Sequence, residues 1–447
     1  MNKETLSGYK GDALQALKKA GAEIGDILRV TKDDRTYEGI LIPRSENGNH
    51  KHIVLKMRNG YNVGVQITPT TKIERIGVGA KPTFQPPPLP KQKENLPKVA
   101  ILSTGGTIAS RVDYRTGGVR PALTANDLYS VVPELADIAV IDAEIVFSLF
   151  SENITPKHWT EISKNVAKHI EKGKSGIVIA HGTDTLGYTA AALSFALQNL
   201  PVPVVLVGSQ RSADRPSSDA ATNLLGAVQA AATAPFAEVV VCMHESISDE
   251  AIVFHRGTKA RKCHTSRRDA FKSINALPVA RLRDGKLSML VEDYNKRESN
   301  RKLVLKPDFD EKVALVKFYP GMNPKTIDWH VENGYKGIVL EGTGLGHVGN
   351  HLFPAVRKAI EQNVIVAMAS QCIWGRLGMT VYDTGRDLLA MGVVPLDDML
   401  AETALVKLMW VLGQTKNTDE AKRLLKTNIA HEFSPCSMYE EEKQYDD

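Results

Sequence analysis

Cysteine is scarce in this chain. Four of its 447 residues are cysteine (Cys242, Cys263, Cys372 and Cys436), they lie far apart, and no C-x-x-C pair occurs. Neither a disulfide framework nor a cysteine zinc site is indicated, and the thiols read as inert side chains. Long apolar runs are missing as well. No segment approaches the roughly 20 residues that span a bilayer. The opening stretch MNKETLSGYKGDALQALKKAG has no apolar core of a secretory leader. A cytoplasmic location without membrane contact is therefore expected. An excess of one charge is also lacking: 56 Lys and Arg stand against 51 Asp and Glu, a formal net charge of +5. That balance permits a polyanionic partner without demanding one.

What is present is a globular composition, 43% hydrophobic and 24% charged, over a length that exceeds one ordinary core. Proline concentrates in GVGAKPTFQPPPLPKQKENLPK, Gly77 to Lys98, an extended spacer. The expected organisation is a module at 1–80, a proline-rich linker at 81–97, a larger lobe at 98–291, an interlobe linker at 292–312, a smaller lobe at 313–435 and an acidic tail at 436–447. The module starts with a short helix carrying Leu14 and Leu17 on one face and Gly21 at its end. Short strands follow. Ile53, Leu55 and Met57 alternate into Asn59-Gly60, a favoured hairpin turn, and Val63, Val65 and Ile67 alternate out. Such strands predict a small β-barrel of SH3 or Tudor kind. Partner docking is its expected role, with RNA contact or a purely structural role as alternatives.

The body alternates strand and helix. KVAILS, SGIVIA, VPVVLVG, AEVVVCM, KVALVKF, KGIVLEG and NVIVAMAS are near-continuous apolar strands. With amphipathic helices between them, they predict an α/β fold of two lobes with mostly parallel sheets covered on both faces. One such helix carries Leu186, Ala190, Leu193 and Leu197 on one face.

Ligands of open parallel sheets bind beyond the carboxyl ends of strands. Two hydroxyl-rich loops fall there, Thr104–Thr107 in STGGTIAS and His181–Thr185 in HGTDT. Taken singly, such residues also cap helices. The first loop lacks G-x-G-x-x-G, the Walker pattern and any lysine for a phosphate, so nucleotide binding is disfavoured.

Together, STGGTIAS and HGTDT resemble the two signatures of the bacterial-type L-asparaginases, over Lys98 to about Gln414. The resemblance implies an asparaginase-like fold and a hydrolysis of a side-chain amide that needs no metal or organic cofactor. It places Thr107 as the nucleophile, with Thr183, Asp184 and Lys262 as a relay, although residue types alone do not decide which threonine attacks. Lys262, in RKCHTSRRDAFKSIN, stands at the family's catalytic lysine by its spacing to AFKSIN. Ser151 and Glu152, in FSENITPKHW, align with contacts to the substrate's α-carboxylate and α-amino groups. Gly106 and Gly182 fall beside the substrate, and Tyr114 falls in the family's lid segment. The residue types suit this chemistry. A threonine hydroxyl needs a neighbour to take its proton, a buried lysine can serve as that base, and backbone amides beside glycines can stabilise an oxyanion.

Three features depart from a free asparaginase: the N-terminal module with its linker, Leu345 in LEGTGLGHVGNH where the family usually has a substrate-contacting asparagine, and a basic run around the lysine. That run comprises His255, Arg256, Lys259, Arg261, Lys262, Arg267 and Arg268; it reads as a solvated loop or as a contact to RNA phosphates or an acidic partner. The module, the linker and EGTGLGHV resemble the D subunits (GatD) of the archaeal glutamyl-tRNA(Gln) amidotransferases of GatDE type. That resemblance implies an amidohydrolase that takes ammonia from glutamine or asparagine and passes it to the amidotransferase's E subunit (GatE). It implies a heterotetramer built on a homodimer of this chain, with tRNA(Gln) held mainly by the partner and ATP and Mg in the partner alone. A free cytosolic asparaginase or glutaminase is the alternative. A catalytically silent amino-acid sensor is a second, disfavoured by the intact Thr107, Thr183, Asp184 and Lys262.

Overall fold

The computed structural model describes residues 6, 8–44, 49–57, 62–78, 95–106, 108, 110–112, 119–121, 128–129, 132–211 and 218–437. The N-terminal module opens with helix Gly11–Lys19, which buries Ala13 and Leu17 and runs out at Gly21, φ +59°. Five antiparallel strands follow, in spatial order Asn62–Gln66, His52–Met57, Arg35–Leu41, Asp26–Lys32 and Lys72–Val78, so the last strand returns beside the first. Period-2 alternation sends Leu28, Val30, Leu41, Ile53, Leu55 and Val65 into one core with Leu17. The hairpin forms, with Ile53 paired to Val65 and Leu55 to Val63, one residue off the register that a two-residue Asn59-Gly60 turn would set; Asn59 and Gly60 lie outside the described residues.

The first lobe holds an eight-stranded sheet. Its spatial order is Lys286–Met289, Ala280–Arg283, Ala251–Arg256, Val239–His244, Val204–Val207, Gly176–Ala180, Lys98–Ser103 and Val140–Ile145. The last five of these run parallel. The first three extend the sheet antiparallel, so this sheet is mixed rather than mostly parallel. The cause is the connection: His244 to Ala251 is too short for a parallel crossover, which needs a dozen residues or more. The second lobe's sheet is wholly parallel, in the order Val313–Lys317, Gly337–Gly342, Ile365–Ser370 and Val394–Pro395.

Helices Pro156–Glu171 and Leu186–Ala196 cover one face of the large sheet, and Ala220–Thr233 covers the other. Leu186, Ala190, Leu193 and Leu197 pack on the sheet as expected. The opposite face of that helix is buried too. Ala191, Ala192 and Phe195 join Ala404, Leu408 and Trp410 of helix Ala401–Gln414 in the second lobe, with the Phe195 and Trp410 rings stacked 5.9 Å apart. A helix buried all round welds the lobes through one apolar cluster. The polar stretch between the lobes is stitched to the first: Arg297 donates to the carbonyls of Ala232 and Ala234, and Val304–Leu305 pairs with Leu197–Gln198. Among the described residues no helix is long and apolar enough to cross a membrane.

Candidate active site

The chain lays strand Lys98–Ser103, then adds Val140–Ile145 on one side and Gly176–Ala180 on the other. This reversal of direction opens a crevice beyond the carboxyl ends of the strands, where open α/β sheets bind ligands. The loops leaving these three neighbouring strands carry Gly105-Gly106, Ser151-Glu152 and His181 to Thr185. Their close approach depends on glycine. Gly106 sits at φ +79°, and a Cβ there would stand 2.7 Å from the Gly182 amide nitrogen. A Cβ on Gly182 would stand 2.9 Å from Ser151 Cβ. The loops therefore stack backbone on backbone, leaving no room for a side chain between them.

Polar side chains lock the stack. Thr104 donates through both its amide and its hydroxyl to the Ala180 carbonyl, at 3.0 Å each. Thr185 precedes helix Leu186–Ala196 but does not cap it; its hydroxyl donates 2.6 Å to the Ser151 carbonyl. The capping role open to these residues in the sequence is thus replaced by cross-loop bonding. Behind Thr183, a Cβ on Gly208 would meet Thr183 Cγ2 at 2.7 Å.

Lys262 arrives from a different element, the hairpin of Ala260–Lys262 and Phe271–Ser273. Its Nζ donates 2.8 Å to Thr183 Oγ1 and 2.8 Å to Asp184 Oδ1. The lysine side chain is 15% exposed and the aspartate 69% exposed. A mostly buried nitrogen thus touches a hydroxyl on one side and, on the other, a carboxylate open to a ligand. Hydroxyl, amine and carboxylate in contact form a proton path that ends in an anion able to meet an ammonium group. Ser151 is buried and Glu152 exposed beside it. Thr107 and Tyr114 lie outside the described residues. Leu345 lies on the second lobe's loop between Gly344 and Gly346, its carbonyl accepting from the Gly378 amide at 3.0 Å. Among the described residues no three His, Cys, Asp or Glu side chains converge as a metal site.

His181 of the HGTDT loop has a role that the sequence did not disclose. It is fully buried, its Nδ1 lies 2.6 Å from the Gly182 carbonyl and its Nε2 lies 2.9 Å from Thr189 Oγ1. A carbonyl only accepts, so Nδ1 carries the proton. Nε2 then accepts from Thr189, whose oxygen in turn accepts from Trp159 Nε1 at 3.1 Å. Burial lowers the imidazole pKa to about 4, against a smaller opposing effect of the Gly182 carbonyl. A neutral ring therefore clamps the Gly182 backbone. Because the unfolded chain binds the proton at a higher pH than the folded one, stability contributed by His181 is complete above pH 6.5 and is lost as pH falls toward 4. The expected loss over that window is about 3 kcal/mol. Denaturant unfolding at several pH values should show a shallower decline for His181→Gln than for the parent chain; equal slopes would contradict the assignment.

The cations of the basic run are paired with carboxylates rather than left as a free anion-binding patch, and residues 263–267 within it form an exposed loop, as the solvated reading expects. His255 is buried, and burial holds its pKa down at about 3. Arg256 pairs with Glu238, Lys259 with Asp398, Arg261 with Glu402, Arg267 with Asp269 and Arg268 with Asp249. Arg256 and Lys259 are largely buried fastenings to distant carboxylates, whereas Arg267 stays 53% exposed; which cations are paired is a property of three-dimensional partners that the linear charge pattern does not reveal. Asp219, at the start of helix Ala220–Thr233, does not cap it through its side chain but accepts from the Gln210 and Arg211 amides.

Comparison with known proteins gives the chain's relatives. Residues 98–294 match the model of the asparaginase N-terminal domain, residues 312–425 that of the glutaminase/asparaginase C-terminal domain, and residues 22–76 that of the GatD N-terminal domain. The chain is 50% identical over 430 residues to the D subunit of the glutamyl-tRNA(Gln) amidotransferase of Pyrococcus abyssi, covering 95% of this chain and 98% of that one. It is 50% identical over 437 residues to the protein of the same name from Methanopyrus kandleri, covering 96% and 95%. Among solved structures, the thermostable L-asparaginase of Thermococcus kodakarensis is similar with a TM-score of 0.68 and 34% identity, covering 75% of this chain and 99% of that one.

Proposed function

The chain belongs to the family of glutamyl-tRNA(Gln) amidotransferase D subunits, and on that footing we propose that it releases ammonia from the side-chain amide of glutamine, or asparagine, for a partner subunit that amidates Glu-tRNA(Gln). The observation that carries the reading is Lys262 Nζ, 2.8 Å from both Thr183 Oγ1 and Asp184 Oδ1 at the strand ends. In the proposed reaction, Thr107 Oγ attacks the amide carbon while its proton passes to the Thr183–Lys262 relay. Backbone amides beside Gly106 and Gly182 stabilise the developing oxyanion in this reading. The C–N bond breaks, the nitrogen takes the proton back, and ammonia leaves an ester on Thr107. Water, deprotonated by the same relay, then hydrolyses the ester and frees the acid. Asp184 and Glu152 receive the substrate's ammonium and Ser151 its α-carboxylate. Tyr114 comes from the segment that closes over the nucleophile.

The proposed partner is the amidotransferase's E subunit, in a heterotetramer built on a homodimer of this chain. That partner binds tRNA(Gln) and uses ATP with Mg, and this chain itself needs no cofactor. The assembly works in the cytoplasm. The N-terminal sheet, whose last strand returns beside its first, is taken as an SH3/Tudor-like barrel that docks the partner. A free asparaginase is disfavoured because the full-length relatives are named amidotransferase subunits, whereas the solved asparaginase covers 75% of the chain.

Thr107→Val tests the nucleophile. In the complex it should abolish amidation fed by glutamine and leave amidation fed by an ammonium salt intact. Loss of both activities would mean that Thr107 is structural, and retention of both would remove it from the reaction.

A further inference from the structure

The strand that delivers Lys262 has two working faces. Side chains alternate along it: Ala260 and Lys262 turn toward the first lobe, Ala260 into the core and Lys262 onto Thr183 and Asp184. Arg261 turns the other way, and both it and Lys259, in the turn just before the strand, are fastened to the second lobe. Lys259 Nζ lies 2.7 Å from Asp398 Oδ2, with both side chains buried. Arg261 donates from one terminal nitrogen to Glu402 Oε2 at 3.4 Å, and its other terminal nitrogen lies 3.3 Å from Oε1. Asp398 and Glu402 flank the start of helix Ala401–Gln414, the helix welded to Leu186–Ala196.

Glu402 is also felt at the catalytic loop's own helix. Tyr188 follows Asp184 by one helical turn, and burial, reinforced by the Glu402 charge, pushes its phenol up to about 12. On the strand's other side, a Cβ on Gly187 would stand 2.9 Å from the Ala260 carbonyl. The strand is therefore gripped between the first helix of the site and a carboxylate of the second lobe.

We propose that Arg261 and Glu402 form a positioning pair, through which the second lobe sets where Lys262 stands over Thr183. A proton relay tolerates little displacement. An offset of about 1 Å in a reacting group costs on the order of 100-fold in rate, and supporting contacts hold such groups to within about 0.5 Å. The two lobes thus share control of the amine, and whatever shifts the second lobe against the first shifts Lys262 from its hydroxyl. The buried Lys259–Asp398 pair anchors the strand. Arg261 and Glu402, 29% and 22% exposed, adjust it and contribute little to folding.

This inference rests on Thr183, Asp184 and Lys262 being the machinery, so the test separates the two. In the complex with the partner subunit, glutamine hydrolysis and ammonium-fed amidation are measured for Glu402→Gln, for the exchanged pair Arg261→Glu with Glu402→Arg, and for Lys262→Met. Glu402→Gln should lower kcat by about 10- to 100-fold with KM changed by less than about 2-fold. Its melting temperature should stay within about 2 °C of the parent, and ammonium-fed amidation should be unchanged. The exchanged pair should recover most of the lost kcat. An unchanged kcat in Glu402→Gln beside a silent Lys262→Met overturns the positioning pair while sparing the site, as does a loss that the exchange fails to restore. Full activity in Lys262→Met overturns the site and the pair together.

Discussion

Replacing Lys262 by methionine should lower glutamine hydrolysis by about a thousandfold or more. Methionine keeps the length and the apolar stem of the side chain, so the walls of the site stay packed. What it removes is the nitrogen within 2.8 Å of both Thr183 and Asp184. Thr183 then has no amine to exchange a proton with, and a threonine hydroxyl unaided is a poor nucleophile and a poor proton carrier. KM should change far less than kcat, because the groups proposed to bind the amino acid, Ser151, Glu152 and the stacked glycine backbone, are untouched. A steady-state measurement on the complex checks this. Ammonium-fed amidation serves as the control for an intact partner site. A drop of less than about tenfold would take Lys262 out of the relay.

The second large effect concerns folding. Lys407 Nζ lies 2.5 Å from Glu432 Oε1, and neither side chain is exposed. Burial works to lower the ammonium's pKa, and the Glu432 charge is the main opposing influence. The ammonium also donates 2.6 Å to the Thr427 carbonyl and lies 4.7 Å from the Phe433 ring centroid. The carboxylate accepts from the Ile429 and Ala430 amides. Glu432→Ala strands a buried cation and both amides at once. The expected loss is about 3–5 kcal/mol, read as a fall in the denaturant midpoint at constant slope. Lys407→Met combined with Glu432→Gln should recover much of that loss, because the uncompensated charge is the main cost. A loss below about 1 kcal/mol for Glu432→Ala would contradict the buried pair.

The parts visible in the sequence were those governed by local pattern. Apolar strands, the Ile53–Met57 alternation and the Leu186 to Leu197 face follow from periodicity. The meeting of Thr183, Asp184 and Lys262 was legible only through resemblance, because HGTDT and the lysine motif match those of the L-asparaginases; nothing in the spacing alone brings the lysine to that strand end. What stayed hidden depends on partners distant in the chain. Ala191 and Phe195 read as the far side of a helix until the second lobe covers them. Arg256, Lys259 and Arg261 read as a basic run until Glu238, Asp398 and Glu402 arrive. Nothing near His181 in the sequence announces that Trp159 and Thr189 fix its proton on Nδ1. The antiparallel extension of the large sheet was missed because two of its three strands, Ala280–Arg283 and Lys286–Met289, are short and half polar rather than continuous apolar runs, and because the short His244–Ala251 connection, which permits only an antiparallel return, was not weighed.

The central claim is that this chain makes ammonia for a partner rather than for its own product. The most direct measurement is glutamine turnover by the chain alone, and then with the partner subunit and glutamyl-tRNA present. Low turnover alone that rises when both are added is the predicted result. Vigorous turnover alone, unchanged by partner and tRNA, would contradict it.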